Sequence, residues 1–180
     1  MVEARARIVE LLRSSTQGHT QQATELIRAM ALPEQKAILH CANLKSVNLD
    51  GAELRGLFLD GAVLWRATLE AARLEAARIR GADLRGSNLE AADLRGADLT
   101  DSDLRGSNLY LARLDAAVLA RADLRGARLM DASLRGADLR GADLTQADLR
   151  GADLREADLR DASLQGARMQ DANTAGCLRD

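Results

Sequence analysis

The chain has 180 residues, with 25 Lys+Arg against 27 Asp+Glu and a formal net charge of −2. That balance excludes a generic basic nucleic-acid binder and a strongly acidic tail protein. Aromatic residues make up 2% of the chain, too few to fill an ordinary enzyme interior, and 14 Gly accompany a single Pro.

The chain opens on MVEARARIVELL, where Glu3, Arg5 and Arg7 leave no apolar run of signal-peptide length. No stretch approaches ~18 consecutive apolar residues, so no membrane contact is expected. Residues 3–14 carry Ile8, Val9, Leu11 and Leu12 among charges, the pattern of one amphipathic helix. A loop with His19 is expected over Ser14–Thr20, and Thr20 is placed to N-cap a second helix bearing Ala23, Leu26, Ile27, Met30 and Ala31. Pro33 either ends that helix or opens a last short one through Ile38 and Leu39. Residues 1–40 therefore read as a small helical cap that buries its apolar face on the segment after it. A dimerising or partner-binding helix pair is the alternative.

From residue 42 onward the chain is a tandem repeat. Positions 44 to 169, taken every fifth residue, are 26 sites, of which 24 are Leu; the others are Ile79 and Met169. Two residues before each, from Ala42 to Ala172, 22 of 27 sites are Ala, with Val47, Leu57, Ser87, Ser102 and Ser107 as the exceptions. Glycine stands two residues after the Leu site in 13 repeats from Gly51 to Gly176. A helix would rotate successive leucines by about 140° and spiral them around its surface. A straight strand would send alternate leucines to opposite faces. The chain must bend once per repeat: Ala and Leu point inward, the residues between and after them outward, and Gly sits at a corner where positive φ is useful.

Periodicity leaves the number of sides open. The tandem A-(D/N)-L-x-x pattern resembles the pentapeptide repeat family over about residues 42–173. The resemblance implies an all-β solenoid, a right-handed quadrilateral β-helix with four repeats per coil. On that reading residues 1–40 are the helical cap, 41–173 the β-helix of about six and a half coils, and 174–180 a C-terminal tail. Coils about 4.8 Å apart give a rod roughly 30 Å long. Cys41 and Cys177 would lie roughly 30 Å apart, beyond the ~7 Å Cα limit for a disulfide, and are expected as free thiols of a cytoplasmic protein.

Stacking by 20 lets the outside be read in columns. Glu53, Arg73, Asp93, Arg113, Ser133 and Asp153 run beside Arg55, Glu75, Arg95, Asp115, Arg135 and Arg155 as a near checkerboard. Asp83, Asp103, Asp123 and Asp143 run beside Arg85, Arg105 and Arg125. Large apolar residues at outward positions are few. Phe58, Val63 and Trp65 lie on early coils, where contact with the helical cap is expected. Tyr110 and Met130 share a column with Leu111 at the adjoining corner, and form the candidate partner surface. Leu164 and Met169 face an open coil end, which invites end-to-end homodimerisation into a rod of roughly 60 Å.

No catalytic, cofactor-binding or metal site is expected. His40 beside Cys41 lacks the ligand count for zinc. G-x-S-x-G, C-x-x-C and G-K-[ST] are absent, and glycines spaced by multiples of five form no phosphate loop. The acidic residues sit on a convex surface beside Arg, with no pocket to perturb them. The reading is a non-catalytic scaffold or interaction module with a protein partner. The family resemblance implies an alternative, since some members mimic DNA, bind DNA gyrase and protect it from fluoroquinolones. Charge argues against it: residues 37–180 hold 20 positive and 23 negative side chains, about six-fold short of a duplex with one charge per ~1.7 Å.

Overall fold

The computed structural model describes residues 2–14, 17–28 and 38–180. Two helices come first, α1 (Val2–Arg13) and α2 (Gln17–Arg28). Ile8, Leu11 and Leu12 of α1 and Ala23 of α2 are buried in one apolar cluster with Ile38, Leu39 and Leu44. The turn after α1 is closed by Ser14, whose hydroxyl donates to the Leu11 carbonyl at 2.7 Å. α2 starts earlier than its sequence suggests: His19 and Thr20 lie inside its first turns, so His19 is not in a loop and Thr20 is not the N-cap. Met30, Ala31 and Pro33 lie outside the described residues.

From Cys41 onward the chain turns a corner at every fifth residue. All corner residues from Cys41 to Gly176 have positive φ; 13 are Gly, and 15 are other residues, among them Ala76, Leu111 and Arg121. At each corner the Ala-site amide donates to the Leu-site carbonyl three residues back, as from Ala52 to Leu49 at 3.0 Å. A positive φ at the third of four residues closed this way is the type II turn arrangement. Glycine is therefore favoured at the corner but not required. The turn bond and the stacked coils hold other residues in the left-handed region, at roughly 1–2 kcal/mol each.

Between corners the sides pair in parallel with residues 20 further on, from Asn43–Val63 to Asp158–Leu178. Leu-site amides from Leu44 to Leu159 donate forward to the next coil, as from Leu104 to the Asp123 carbonyl at 2.7 Å, and outward residues from Val63 to Leu178 donate back, as from Asp123 to Ser102 at 2.9 Å. A corner every five residues and a partner every 20 give four sides per coil. The solenoid is thus built from sides one bridge long, with no extended strands among the described residues.

The Leu and Ala sites are buried from Ala42 through Leu159, and the other residues of the coils are half-buried or exposed, apart from the stacked pair Thr100 and Ala120, which is buried. Leucine fills the centre, while Ala allows neighbouring backbones to approach. Ser102 and Ser107 occupy Ala sites and donate to the carbonyls of Leu99 and Leu104 at 2.7 and 2.8 Å.

The two ends differ. At the first coil, Arg5 of α1 donates to the His40 carbonyl and Arg13 donates to Asn43 O at 3.0 Å. In the next coil the equivalent carbonyls, Asp60 and Val63, accept the amides of Cys41 and Leu44. Side chains of α1 therefore serve carbonyls that have no preceding coil. At the other end, residues 174–180 do not form the expected tail. Gly176 still turns a corner, and Leu159 N–H donates to Leu178 O at 2.8 Å. Backbone bonds hold this lattice, so Thr174 at a Leu site and Cys177 at an Ala site do not end it.

Candidate docking surfaces of the rod

The commonest outward unit is Asp-Leu-Arg. In Asp83–Arg85 the Arg amide donates to Asp Oδ1 at 3.2 Å, while Nε and Nη2 donate to the two carboxylate oxygens at 2.8 and 2.7 Å. The same clamp recurs at Asp93–Arg95, Asp123–Arg125 and Asp138–Arg140. The local spacing explains it, since residues two apart project from the same side of a coil. The Arg side-chain hydrogen bond holds each of these carboxyls below the usual Asp range. At Asp158 the bond from Arg160 carries it down to about 2. Carboxylates held ionised beside Arg are unsuited to general acid work at neutral pH.

Pairing also runs along the stack. Arg55 meets Glu75 at 2.9 Å, Arg73 meets Glu53 at 3.1 Å and Arg113 meets Asp93 at 3.2 Å, as the checkerboard columns require. Asp115 accepts a hydrogen bond from Ser133, whereas Arg135 turns aside to the corner residue Glu156 at 3.1 Å. In the Asp column, Arg85 and Arg105 each lie within 3.6 Å of the next coil's Asp103 and Asp123 as well as their own partners.

The apolar exceptions fall into three groups, with Val118 standing apart from them in the Phe58 column. Phe58 lies under the Arg78 guanidinium at 4.3 Å, and Trp65 between Lys45 and Arg66 at 4.3 and 4.8 Å. Val63 shares the side of Trp65 and is half-buried. These early-coil groups pack against cations of the coil itself. Tyr110 and Met130 are stacked and half-buried, and Leu111 beside them is 46% exposed. Arg150, next in the column, reaches the Met130 sulfur at 3.0 Å. On the last coils Leu164 and Met169 are partly buried, and Leu178 is 51% exposed. Among the described residues, Leu159 is the last Leu-site residue whose amide finds a coil partner.

One side has a feature that residue-by-residue reading of the sequence missed. It carries Asn48, Thr68, Asn88, Asn108, Arg128, Asp148 and Arg168 in one column and Asp50, Glu70, Glu90, Tyr110, Met130, Arg150 and Gln170 in the other. Its early coils are acidic without neighbouring Arg in either column, and its late coils are basic. The Glu53 side alternates the two signs at most levels, and the Asp83 and Phe58 sides pair them within a level at only some, Asp83–Arg85 and Asp138–Arg140 among them. The signal was available at a spacing of 20 residues.

Cys41 and Cys177 are free thiols. Cys41 is exposed with Sγ 3.4 Å from His40 Nε2, and Cys177 donates to Leu154 O at 2.7 Å, with burial pushing its thiol up. No cluster of three or more metal-ligating side chains occurs among the described residues. No helix among them is long and apolar enough to cross a membrane.

The pentapeptide repeats family profile matches eight copies over residues 35–66, 72–110, 107–146 and 137–173. Among solved structures, HetL from the cyanobacterium Nostoc sp. strain PCC 7120, a pentapeptide repeat protein involved in heterocyst differentiation regulation, is 37% identical with a TM-score of 0.49. The match covers 77% of this chain and 64% of HetL, so this chain spans less than two thirds of that relative. A pentapeptide repeat protein of the Arabidopsis thaliana thylakoid lumen is 31% identical over 64% of this chain and 73% of its own, with a TM-score of 0.42. QnrB1, a plasmid-mediated fluoroquinolone resistance protein, is 17% identical over 74% of this chain and 79% of its own, with a TM-score of 0.40. No curated protein sequence matches the chain significantly.

Proposed function

The chain belongs to the pentapeptide repeat family, and we propose that it is a non-catalytic protein-interaction scaffold. The observation that carries this reading is the outward lattice: side chains at fixed four-sided spacing, with carboxylates clamped by Arg and a mid-rod apolar cluster at Tyr110, Leu111 and Met130. A rod already ordered loses little conformational freedom on binding. In this reading the rod is a right-handed quadrilateral β-helix of about six and a half coils, from 26 repeats at four to a coil. Residues 1–40 cap it, and it works in the cytoplasm. Arg5, Arg13 and the buried face of α1 support the capping role. The open end at Leu164 and Met169 is a separate contact, for end-to-end pairing of two copies.

The test is a comparison of partners retained by the intact chain and by a Leu111→Asp, Met130→Glu variant with unchanged melting. Loss of specific partners from the variant supports the interaction surface; identical partner sets refute it. Titration into a DNA gyrase supercoiling assay, with and without a fluoroquinolone, tests the topoisomerase alternative. Inhibition or rescue at tens of micromolar would replace an unspecified partner with gyrase.

A further inference from the structure

We propose that the side bearing Tyr110 docks a second copy of this chain, antiparallel and face to face. This rests on the interaction-scaffold reading and names the partner at that same site. Asp50, Glu70 and Glu90 are stacked on successive coils, and none of them forms an ion pair among the described residues. Three coils carrying Arg128, Arg150 and Arg168 lie beyond Tyr110, with Asp148 as the only carboxylate in their two columns. Arg128 forms no ion pair among the described residues, while Arg150 and Arg168 share Asp148 at 2.7 and 3.5 Å. In these two columns the early half carries three carboxylates and no Arg, the late half three Arg against one carboxylate, with the corner carboxylates Asp131 and Asp171 flanking it, and the apolar residues lie between the halves.

A two-fold axis lying across this side at the Tyr110 level turns that gradient onto itself. Such an axis keeps each column facing its own counterpart and reverses the order of coils. Glu70 then faces Arg150, two coils from the axis on either side. Glu90 faces Met130 with Arg128 beside it, and Asp50 faces Gln170 with Arg168 beside it. Tyr110 and Leu111 meet their own copies at the centre. The corner carboxylates Asp131 and Asp171 face Ala91 and Gly51, so no like charges meet directly. A parallel arrangement would leave each acidic coil against another acidic coil. Self-complementarity under one two-fold is what an isologous interface requires. A side roughly 30 Å by 10 Å is smaller than the ~800 Å² per partner of stable complexes, so the dimer is weak and charge-steered.

Sedimentation velocity and small-angle scattering of the full chain, from about 10 μM to about 1 mM, test this. At low salt a dimer should form whose maximum dimension stays near that of one rod, with its dissociation constant rising roughly tenfold or more in about 0.5 M salt. Glu70→Arg and Arg150→Glu should each abolish it, and the two together should restore it. Met169→Glu, which would remove the separate end-to-end pairing, should leave this compact dimer in place. A monomer across the whole range, association only into rods of doubled length, or a double swap that fails to restore the compact dimer would overturn the proposal. If the chain stays monomeric while Leu111→Asp, Met130→Glu still loses partners, the scaffold reading survives and the second-copy assignment falls.

Discussion

Replacing Ser87 and Ser107 by Ala should shift stability in opposite directions, although the two serines stack one coil apart at the same kind of site. Ser87 is 1% exposed, and its hydroxyl has no hydrogen-bond partner. A buried hydroxyl without a partner costs about 1–3 kcal/mol, so Ser87→Ala should stabilise by about 1–2 kcal/mol. Ser107 donates to Leu104 O at 2.8 Å, and that carbonyl retains the Ser107 amide when the hydroxyl is removed. Its loss is that of one ordinary hydrogen bond, about 1 kcal/mol. Ala creates no misfit at either position, being the residue at 22 of the 27 sites. For a chain of this size, about 1 kcal/mol moves the melting temperature by about 2–4 °C. Circular dichroism melts should therefore show Ser87→Ala rising and Ser107→Ala falling, with Ser102→Ala tracking Ser107→Ala. A fall at Ser87 equal to that at Ser107 would refute the reasoning, because it would place the Ser87 hydroxyl on Leu84 O in solution.

Gly96→Ala should destabilise by about 0.5–1 kcal/mol, and Ala76→Gly, one coil away at a corner with φ of 54°, should stabilise by a similar amount; urea unfolding measures both. No atom lies within 4 Å of a Cβ built at Gly96, so the backbone alone sets that cost. Leu124→Ala in mid-rod should cost about 3–5 kcal/mol, whereas Leu164→Ala at the partly buried end should cost less than half as much, again by urea unfolding. Acid should weaken the rod in a defined window. The clamped carboxylates titrate below their unfolded range near 3.9, so their contribution is present above about pH 4 and lost as pH falls through the folded values, near 2 for Asp158. Melting temperature should hold from neutrality to about pH 4.5 and then decline, and Asp158→Asn should reduce the decline. An unchanged slope in that variant would separate Asp158 from the acid response.

The inward and outward positions were legible because Leu and Ala repeat with an odd period that neither helix nor flat strand can bury. The i to i+2 Asp–Arg contact came from the same geometry. Three features were hidden, each for a physical reason. Leu111 and Arg121 adopt positive φ because the turn bond and the coils above and below impose it, a constraint composition does not display. The start of α2 at Gln17 was hidden because residues 17–22 are a wholly polar run with no apolar period to read, and it is supported by packing against α1. The coil runs on through Thr174, Cys177 and Leu178 because backbone pairing asks little of the side chains at its edge. At the candidate surface, the stack of Tyr110 on Met130 was visible at a spacing of 20, whereas the charge gradient around it emerges only when all seven coils of that side are read together.

Five residues to a side and 20 to a coil give changes in chain length a phase. Removing one complete coil shortens the rod and leaves every later residue on its original side. Removing a single pentapeptide preserves the buried Leu lattice but carries everything after it round by a quarter turn. The acidic stretch of one side would then continue into the residues of a different column. Such a chain would keep its fold and exchange its surface, so length variation in units of five rewires contacts while variation in units of 20 only sets reach.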